Sequence, residues 1–421
     1  MTWMNKKAGG FPVYFDRAVG NRIWDIDGNE YIDFALGDTG AMAGHSAPAV
    51  VDAITKQVKD LGGMTTMLPT EDAEWVAANL SDRFGMAKWS FSLTATDANR
   101  WAIRLVRAIT GKPKILFNAY CYHGSVDEAL IVVGPDGEGM SRPGNVGSPV
   151  DVTETSRVAE FNDLEGLERQ LKNGDVAAVL MEPAMTNIGI VLPEPGYLAG
   201  VRDLTRKYDA LLIIDETHTF SAGYGGMTKR DDLEPDLFVI GKAIAGGIPT
   251  GTYGLSESFA AKVLERTDLD LVDMGGVGGT LAGNPLQVAA MRATLEHVLT
   301  EDAFAKAAST LSNCPSGAEG GQLGWLTTSD CAPEFAKELF GHAEVGVLPR
   351  LVHSRFGLHV VEVMGREAGV AQPFDAVHGA VRMTLKQQTF VTAMRQYLSL
   401  LAGEATIEGL DLDAADNPLV Q

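Results

Sequence analysis

The chain is poor in cysteine, with only Cys121, Cys314 and Cys331 among 421 residues. Their spacing forms neither a disulfide framework nor a zinc pattern, which points to a reducing compartment. No apolar run reaches the ~18 residues of a membrane helix, and no secretory signal opens the chain. Cations are also scarce: 34 Lys and Arg stand against 55 Asp and Glu, a net charge of −21. Nucleic acid and anionic membranes both need clustered Lys and Arg, so neither is expected as a partner. There is no low-complexity linker and no repeat of fixed period. A phosphate loop of the form G-x-x-x-x-G-K-[ST] is missing too, since the only candidate, Gly111-Lys112, runs into Pro113 and lacks the earlier glycine. A cytoplasmic protein that handles small molecules is therefore the expectation, with no metal pattern.

What is present is a globular composition, 45% hydrophobic, at a length that suggests two domains. Apolar strands KILFNAY, AAVLMEP, LLIIDE and LFVIGK alternate with helical patterns over about 45–305. That alternation predicts an α/β layer with a mostly parallel sheet and a ligand at the carboxyl ends of its strands. Asp215 ends LLIID, and Lys242 follows LFVIG, 242 − 215 = 27 residues later, which fits one helical crossover between neighbouring parallel strands. A lysine in an apolar, glycine-rich pocket can lose its proton and form a Schiff base with an aldehyde. A buried carboxylate at a strand tip can hold a pyridinium nitrogen in its charged state. Pyridoxal phosphate requires this pair of groups.

Other segments fall in a compatible order. TATDAN at 94–99 opens the helical pattern RWAIRLVRAITG, so free backbone N–H groups there could cradle a phosphate, although Thr-x-Thr-Asp is equally an ordinary N-cap. KILFNAYCYHGS delivers Tyr122 and His123 to a turn at Gly124; an aromatic there can lie against a cofactor ring or simply pack in the core. Glu182, just before Pro183, and Asn187 follow another buried strand, and a buried carboxylate is costly unless paired. Thr280, between Gly278-Gly279 and Gly283-Asn284-Pro285, should lie in a tight loop able to contact phosphate.

Seven stretches carry a resemblance over about 11–308: GNRIWDIDGNEYIDF, WAIRLVRAITGKPKILF, CYHGS, EPAMTNIGIVLPEPGYL, LLIIDETHTF, PDLFVIGKAIAGGIPTGTYG and GGTLAGNPLQVAAMRATLE. The chain resembles the class III aminotransferases of pyridoxal-phosphate fold type I, and within them the glutamate-1-semialdehyde aminomutases. The resemblance implies that Lys242 carries the cofactor, Asp215 pairs with the ring nitrogen and Tyr122 stacks on the ring. It also implies that Ala95 and Thr96 bind the phosphate, with Asn187 near the substrate and the cofactor oxygen. His123 and Glu182 are counted among the cofactor contacts. Thr280 would reach the phosphate of the neighbouring subunit, in a homodimer with shared active sites.

Two departures stand out. Thr94-Ala95-Thr96-Asp97 replaces the family's Ser-Gly-Thr-Glu, and Ala95 cannot take a positive φ without strain. Thr217 and His218 replace Val-Met or Val-Gln after the strand acids. Thr217 would sit under the ring, and His218 could hydrogen-bond the ring hydroxyl and make activity pH-dependent.

The two ends are atypical. Family members carry a further helix and a Pro-Gly-Gly segment ahead of the strand pair GFPVYFDRAVGNRIWDIDGNEYIDF, so a truncated N-terminus is expected. From about 311 the chain resembles the latter half of a parvulin-type prolyl isomerase, with Cys314, Phe335 and His359 at core or pocket positions. Half a domain without its central strand is expected to pack rather than to isomerise proline. FDAVHGAVRMTLKQQTFVTAMRQYLSLLAG should form one long or two short helices, and IEGLDLDAADNPLVQ a strand with an irregular end. This segment replaces the part of the family that often supplies a carboxylate-binding arginine, and neither Arg350, Arg355 nor Arg382 is placed over the cofactor by the sequence. The expected division is 1–44 and 45–305, with a parvulin-like part over 306–421. The expected activity moves an amino group between an amine or amino acid and a carbonyl acceptor. An aminomutase, an inactive chimera and a prolyl isomerase or chaperone-like protein are the alternatives.

Overall fold

The computed structural model describes residues 13–269, 276–300, 303–343, 345–348, 350–369 and 374–404. The chain divides into two compact units, 1–362 and 363–421. The first opens with an antiparallel sheet of β1 (Phe15–Val19), β2 (Arg22–Asp25) and β3 (Glu30–Ile32). Where a strand pair is expected, three strands form. Gly28, at φ 84°, lets the chain reverse after Asp27 and bring Tyr31 opposite Ile23. Helices α1 (Pro48–Lys56) and α2 (Glu71–Phe84) follow.

The central layer begins with β4 (Lys88–Ser92), α3 (Ala95–Thr110) and β5 (Lys114–Asn118). A small hairpin, β6 (Ile131–Val133) with β7 (Gly139–Ser141), precedes α4 (Val152–Thr155), β8 (Ser156–Ala159) and α5 (Leu164–Leu171). Next come β9 (Val176–Met181), α6 (Tyr197–Lys207), β10 (Leu211–Asp215) and α7 (Gly226–Arg230). The layer closes with β11 (Leu237–Gly241), β12 (Gly251–Leu255), α8 (Glu257–Leu264) and α9 (Pro285–His297).

Seven of these strands form one sheet in the order β4-β12-β11-β10-β9-β5-β8. Only β12 runs against its neighbours; the other six are parallel to one another. All residues of β9 and of β11 are buried, which is why their sequences read as continuous apolar runs. Alternation appears only in the packing. Val179, Met181, Leu212, Ile214, Phe238 and Ile240 face a core shared with α1, α2, α5, α6 and α9. Leu180, Ile213, Leu237 and Val239 face the opposite core, beneath α3 and α8. By the same alternation Asp215 and Gly241, at the carboxyl ends of adjacent strands, lie on the α3 side. The expected α/β layer is therefore present, with its mostly parallel sheet inside 45–305.

The rest of the first unit holds α10 (Ala303–Leu311), α11 (Pro333–Phe340) and a hairpin of Val352–Ser354 with Gly357–His359. Phe335 and His359 pack edge to face at 5.4 Å, and Ser354 Oγ lies 2.7 Å from His359 Nε2. In the second unit the expected helical segment is one helix, α12 (Phe374–Glu404). The strand expected in the acidic tail lies outside the described residues.

Candidate active site

The carboxyl ends of β9, β10 and β11 deliver Glu182, Asp215 and Lys242 to one cavity of about 300 Å³. Its wall is completed by the start of α3 with Thr94, Ala95 and Thr96, by Tyr122 and Gly124, by Thr217 and His218, and by Gly40 and the turn at 247–250.

Helix α3 explains one end of the cavity. Thr94 is its N-cap, and its hydroxyl accepts from the Asp97 amide at 3.1 Å, which leaves the first amides, of Ala95 and Thr96, outside the helical bonding. Ala95 is the first helical residue, with right-handed backbone, so replacing a glycine there creates no conformational problem. Two glycines let the helix end approach the sheet. A Cβ on Gly241 would come within 2.8 Å of the Ala95 Cβ, and one on Gly251 within 2.3 Å of the Thr94 carbonyl oxygen. Gly124, at φ 79°, closes the cradle from the other side: a Cβ there would lie 2.0 Å from Thr96 Oγ1. The Ser125 amide donates to that hydroxyl at 3.2 Å.

Asp215 is buried and fully engaged. Oδ2 accepts from Asn99 Nδ2 at 2.9 Å and pairs with His123 Nδ1 at 2.8 Å; Oδ1 accepts from the Thr217 amide at 3.0 Å and its hydroxyl at 2.7 Å. Burial alone would raise its pKa, but His123, Thr217 and Asn99 outweigh it and hold the carboxyl below its usual value. His123 is shifted well upward in spite of burial, through Cys121 and its 2.8 Å contact with Asp215. Its Nε2 is buried without a partner. Glu182 behaves in the opposite way. Burial pushes its carboxyl up to about 7, Oε2 accepts from Thr186 Oγ1 at 2.6 Å, and Oε1 is buried without a partner. The next acid, Glu216, faces away and receives the Met227 and Thr228 amides that open α7.

Lys242 follows β11 with φ 51°, a left-handed backbone that is uncommon for a residue with a Cβ and gathers at functional sites. Its Nζ lies 2.8 Å from Asp38 Oδ2 and 2.8 Å from His218 Nε2, and His218 Nδ1 lies 3.0 Å from Thr39 Oγ1. His218 thus meets the lysine itself. Burial, then the Lys242 charge, lower the His218 pKa. Thr217 lines the cavity, but its hydroxyl is engaged by Asp215 and is no free donor.

Of the residues singled out in the sequence, Ala95, Thr96, Tyr122, Glu182, Asp215, His218 and Lys242 line the cavity, and His123 supports it from behind Asp215. Asn187 does not line it; its amide donates to the Tyr120 carbonyl at 3.0 Å. Thr280 does not line it either and sits in the expected turn, which Gln287 ties to β4 by accepting from the Gly283 amide and donating to the Ser92 carbonyl. Arg350 and Arg355 are paired with Glu338 and Glu334, and Arg382 lies on α12 in the other unit. Sequence reasoning missed Asn99, Asp38 and Thr39. Asn99 left a trace, as a polar residue in the buried stripe of α3 with Ala98, Ala102, Ile103 and Val106. Asp38 and Thr39 left none, since their partners are 204 and 179 residues away.

Comparison with known proteins follows the same outline. The family model described as aminotransferase class-III matches residues 3–314, and one described as a PPIC-type PPIASE domain matches 285–365. A glutamate-1-semialdehyde 2,1-aminomutase of Desulfitobacterium hafniense is 39% identical over 305 residues, 71% of this chain and 69% of that protein. Among solved structures, a glutamate-1-semialdehyde-aminomutase of Pseudomonas aeruginosa PAO1 is 48% identical with a TM-score of 0.69, over 74% of this chain and 69% of that one. A lysine-to-alanine variant of the same protein was solved in complex with PMP. An omega-transaminase of Sphaerobacter thermophilus is 29% identical with a TM-score of 0.66, over 87% of this chain and 80% of its own.

Proposed function

The chain belongs to the class III aminotransferases, which are pyridoxal-phosphate enzymes, and from that premise we propose that Lys242 is the residue that carries the cofactor in a site built on Asp215. The observation that carries this reading is the meeting of three groups in one cavity: Lys242, an Asp215 held ionised by four donors, and the open amide end of α3. The residues fit the cofactor. The cradle between Gly124 and Thr96 is too tight for any Cβ, and the unbonded amides of Ala95 and Thr96 suit a phosphate. Bound there, the cofactor supplies an aldehyde that accepts an amine and a ring that withdraws electrons.

Each residue then has a role. Lys242 Nζ would hold the cofactor and, as a free amine, would move a proton on the substrate side. Asp215 holds a proton on the ring nitrogen, and His123 and Asn99 hold Asp215. Tyr122 would flank the ring, Glu182 and His218 would complete the surroundings, and Asn187 would act from outside the wall through the Tyr120 carbonyl. Thr280 serves the partner's phosphate, so the enzyme works as a homodimer in the cytoplasm. The reaction moves an amino group between an amine or amino acid and a carbonyl acceptor. The relatives' names favour a second reading, an amino shift within glutamate-1-semialdehyde, which needs no separate acceptor. The sequence divides into 1–44, 45–305 and a parvulin-like part with C-terminal helices over 306–421.

Turnover with a panel of amine donors, then with the semialdehyde alone, separates the two readings. Lys242→Ala should abolish both covalent cofactor and turnover. Asp215→Asn should keep most of the cofactor and lose on the order of 10²–10⁴ in rate. Catalysis by a cofactor-saturated Lys242→Ala protein would remove the assignment.

A further inference from the structure

The segment 33–45 brings Asp38 to Lys242 and Thr39 to His218 from far away in the sequence. Leu36, Gly37, Asp38 and Thr39 follow one another with φ of 49°, 56°, 55° and 70°, a full left-handed turn. Each residue with a Cβ is strained in that conformation. Asp33 holds the turn: its Oδ1 accepts from the Ala35 and Leu36 amides, and its Oδ2 lies 2.7 Å from His45 Nε2. The result is a line of contacts: Asp38 to Lys242, Lys242 to His218, and His218 to Thr39.

Resting on the reading that Lys242 carries the cofactor, we propose that His218 is the base that takes the proton Lys242 must lose before its amine attacks an aldehyde. An ammonium has only protons to give, so beside charged Lys242 the imidazole Nε2 accepts and the ring proton sits on Nδ1, directed at Thr39 Oγ1. The step balances without any co-reactant. Nζ–H⁺ passes its proton to Nε2, the ring becomes an imidazolium that keeps its Nδ1 proton on Thr39 Oγ1, and Lys242 is left with a free electron pair. Valine-methionine or valine-glutamine in place of Thr217-His218 offers no group that can take a proton there.

The groups facing His218 set when it can act. Lys242, Asp38, Asp215 and His123 surround it. Burial and the lysine charge lower its pKa, so it stays neutral and able to accept at neutral pH; acid removes the function by charging the ring. Asp38 faces the cation wherever it sits, on Lys242 or on His218, and so keeps the transfer from separating charge.

The test uses full-length protein stripped of cofactor, a small aldehyde, borohydride trapping and mass spectrometry of the Lys242 peptide, from pH 5 to 9. Wild type should label Lys242 with a rate that falls in acid as His218 charges. His218→Ala and His218→Gln should label it about 10–100-fold more slowly at neutral pH. Added imidazole should restore the alanine variant but not the glutamine variant, whose side chain fills the space. Wild-type rates in both variants, or slow labelling that imidazole does not relieve, would overturn the role of His218. Absence of label on Lys242 in wild type would instead remove the reading on which it rests.

Discussion

At the scale of single residues the site is an arrangement of displaced protonation states. Asp215 is kept charged and Glu182 is pushed up to about 7, although both are buried and both stand at the carboxyl ends of parallel strands. Four donors decide the first case; burial with one donor decides the second. This sets a pH dependence of stability. The folded pKa of Glu182, about 7, exceeds the ordinary 4.5, so the folded state binds the proton more tightly than the unfolded state does. The favourable contribution is complete below pH 4.5 and is lost as pH rises to about 7. The cofactor-free protein should therefore lose on the order of 3 kcal/mol between those limits from this residue. Glu182→Gln should flatten that part of the curve, as read by denaturant unfolding at pH 5 and pH 8. An unchanged slope would show that Glu182 ionises normally.

At the scale of elements, the start of α3 is the tightest joint. Gly124→Ala places a methyl against Thr96 and forces a positive φ on alanine. Overpacking of this kind costs about 1–3 kcal/mol, and the strain falls on the proposed phosphate cradle. Weakened cofactor binding with a modest loss of stability is the expected outcome, measurable by equilibrium dialysis beside thermal unfolding. A variant that binds cofactor like wild type would exclude 124 from the cradle. Thr94→Ala, in contrast, should cost only the ~1 kcal/mol of an N-cap.

Elements were also the scale most legible in the sequence. The runs in β9, β10 and β11 are long, apolar and doubly buried, so nothing competed with reading them as central strands. Asp215 and Lys242 were legible because each interrupts such a run at its carboxyl end. The contact of His218 with Lys242 was not, because a side chain at the rim can turn to ring or lysine and only packing decides. Asp38 and Thr39 were invisible for a different reason. They reach the site through a strained left-handed turn that no propensity favours, and only the surrounding structure holds it.

At the scale of the whole molecule, the cavity is built within 1–362, whereas α12 belongs to the other compact unit. Thr280 lies outside the cavity wall of its own chain; in the proposed homodimer it would serve the partner's site. Cofactor affinity should then fall as the protein is diluted into monomers. Light scattering combined with a cofactor titration over a dilution series would show the two declining together. A monomer that retains stoichiometric cofactor would break the link.

The most direct measurement is reduction of the cofactor-loaded enzyme with borohydride, followed by peptide mapping. The reduced cofactor should be fixed to the peptide containing Lys242, and Lys242→Ala should take up none. Cofactor fixed to any other lysine, or recovered entirely free from the reduced wild-type enzyme, would contradict it.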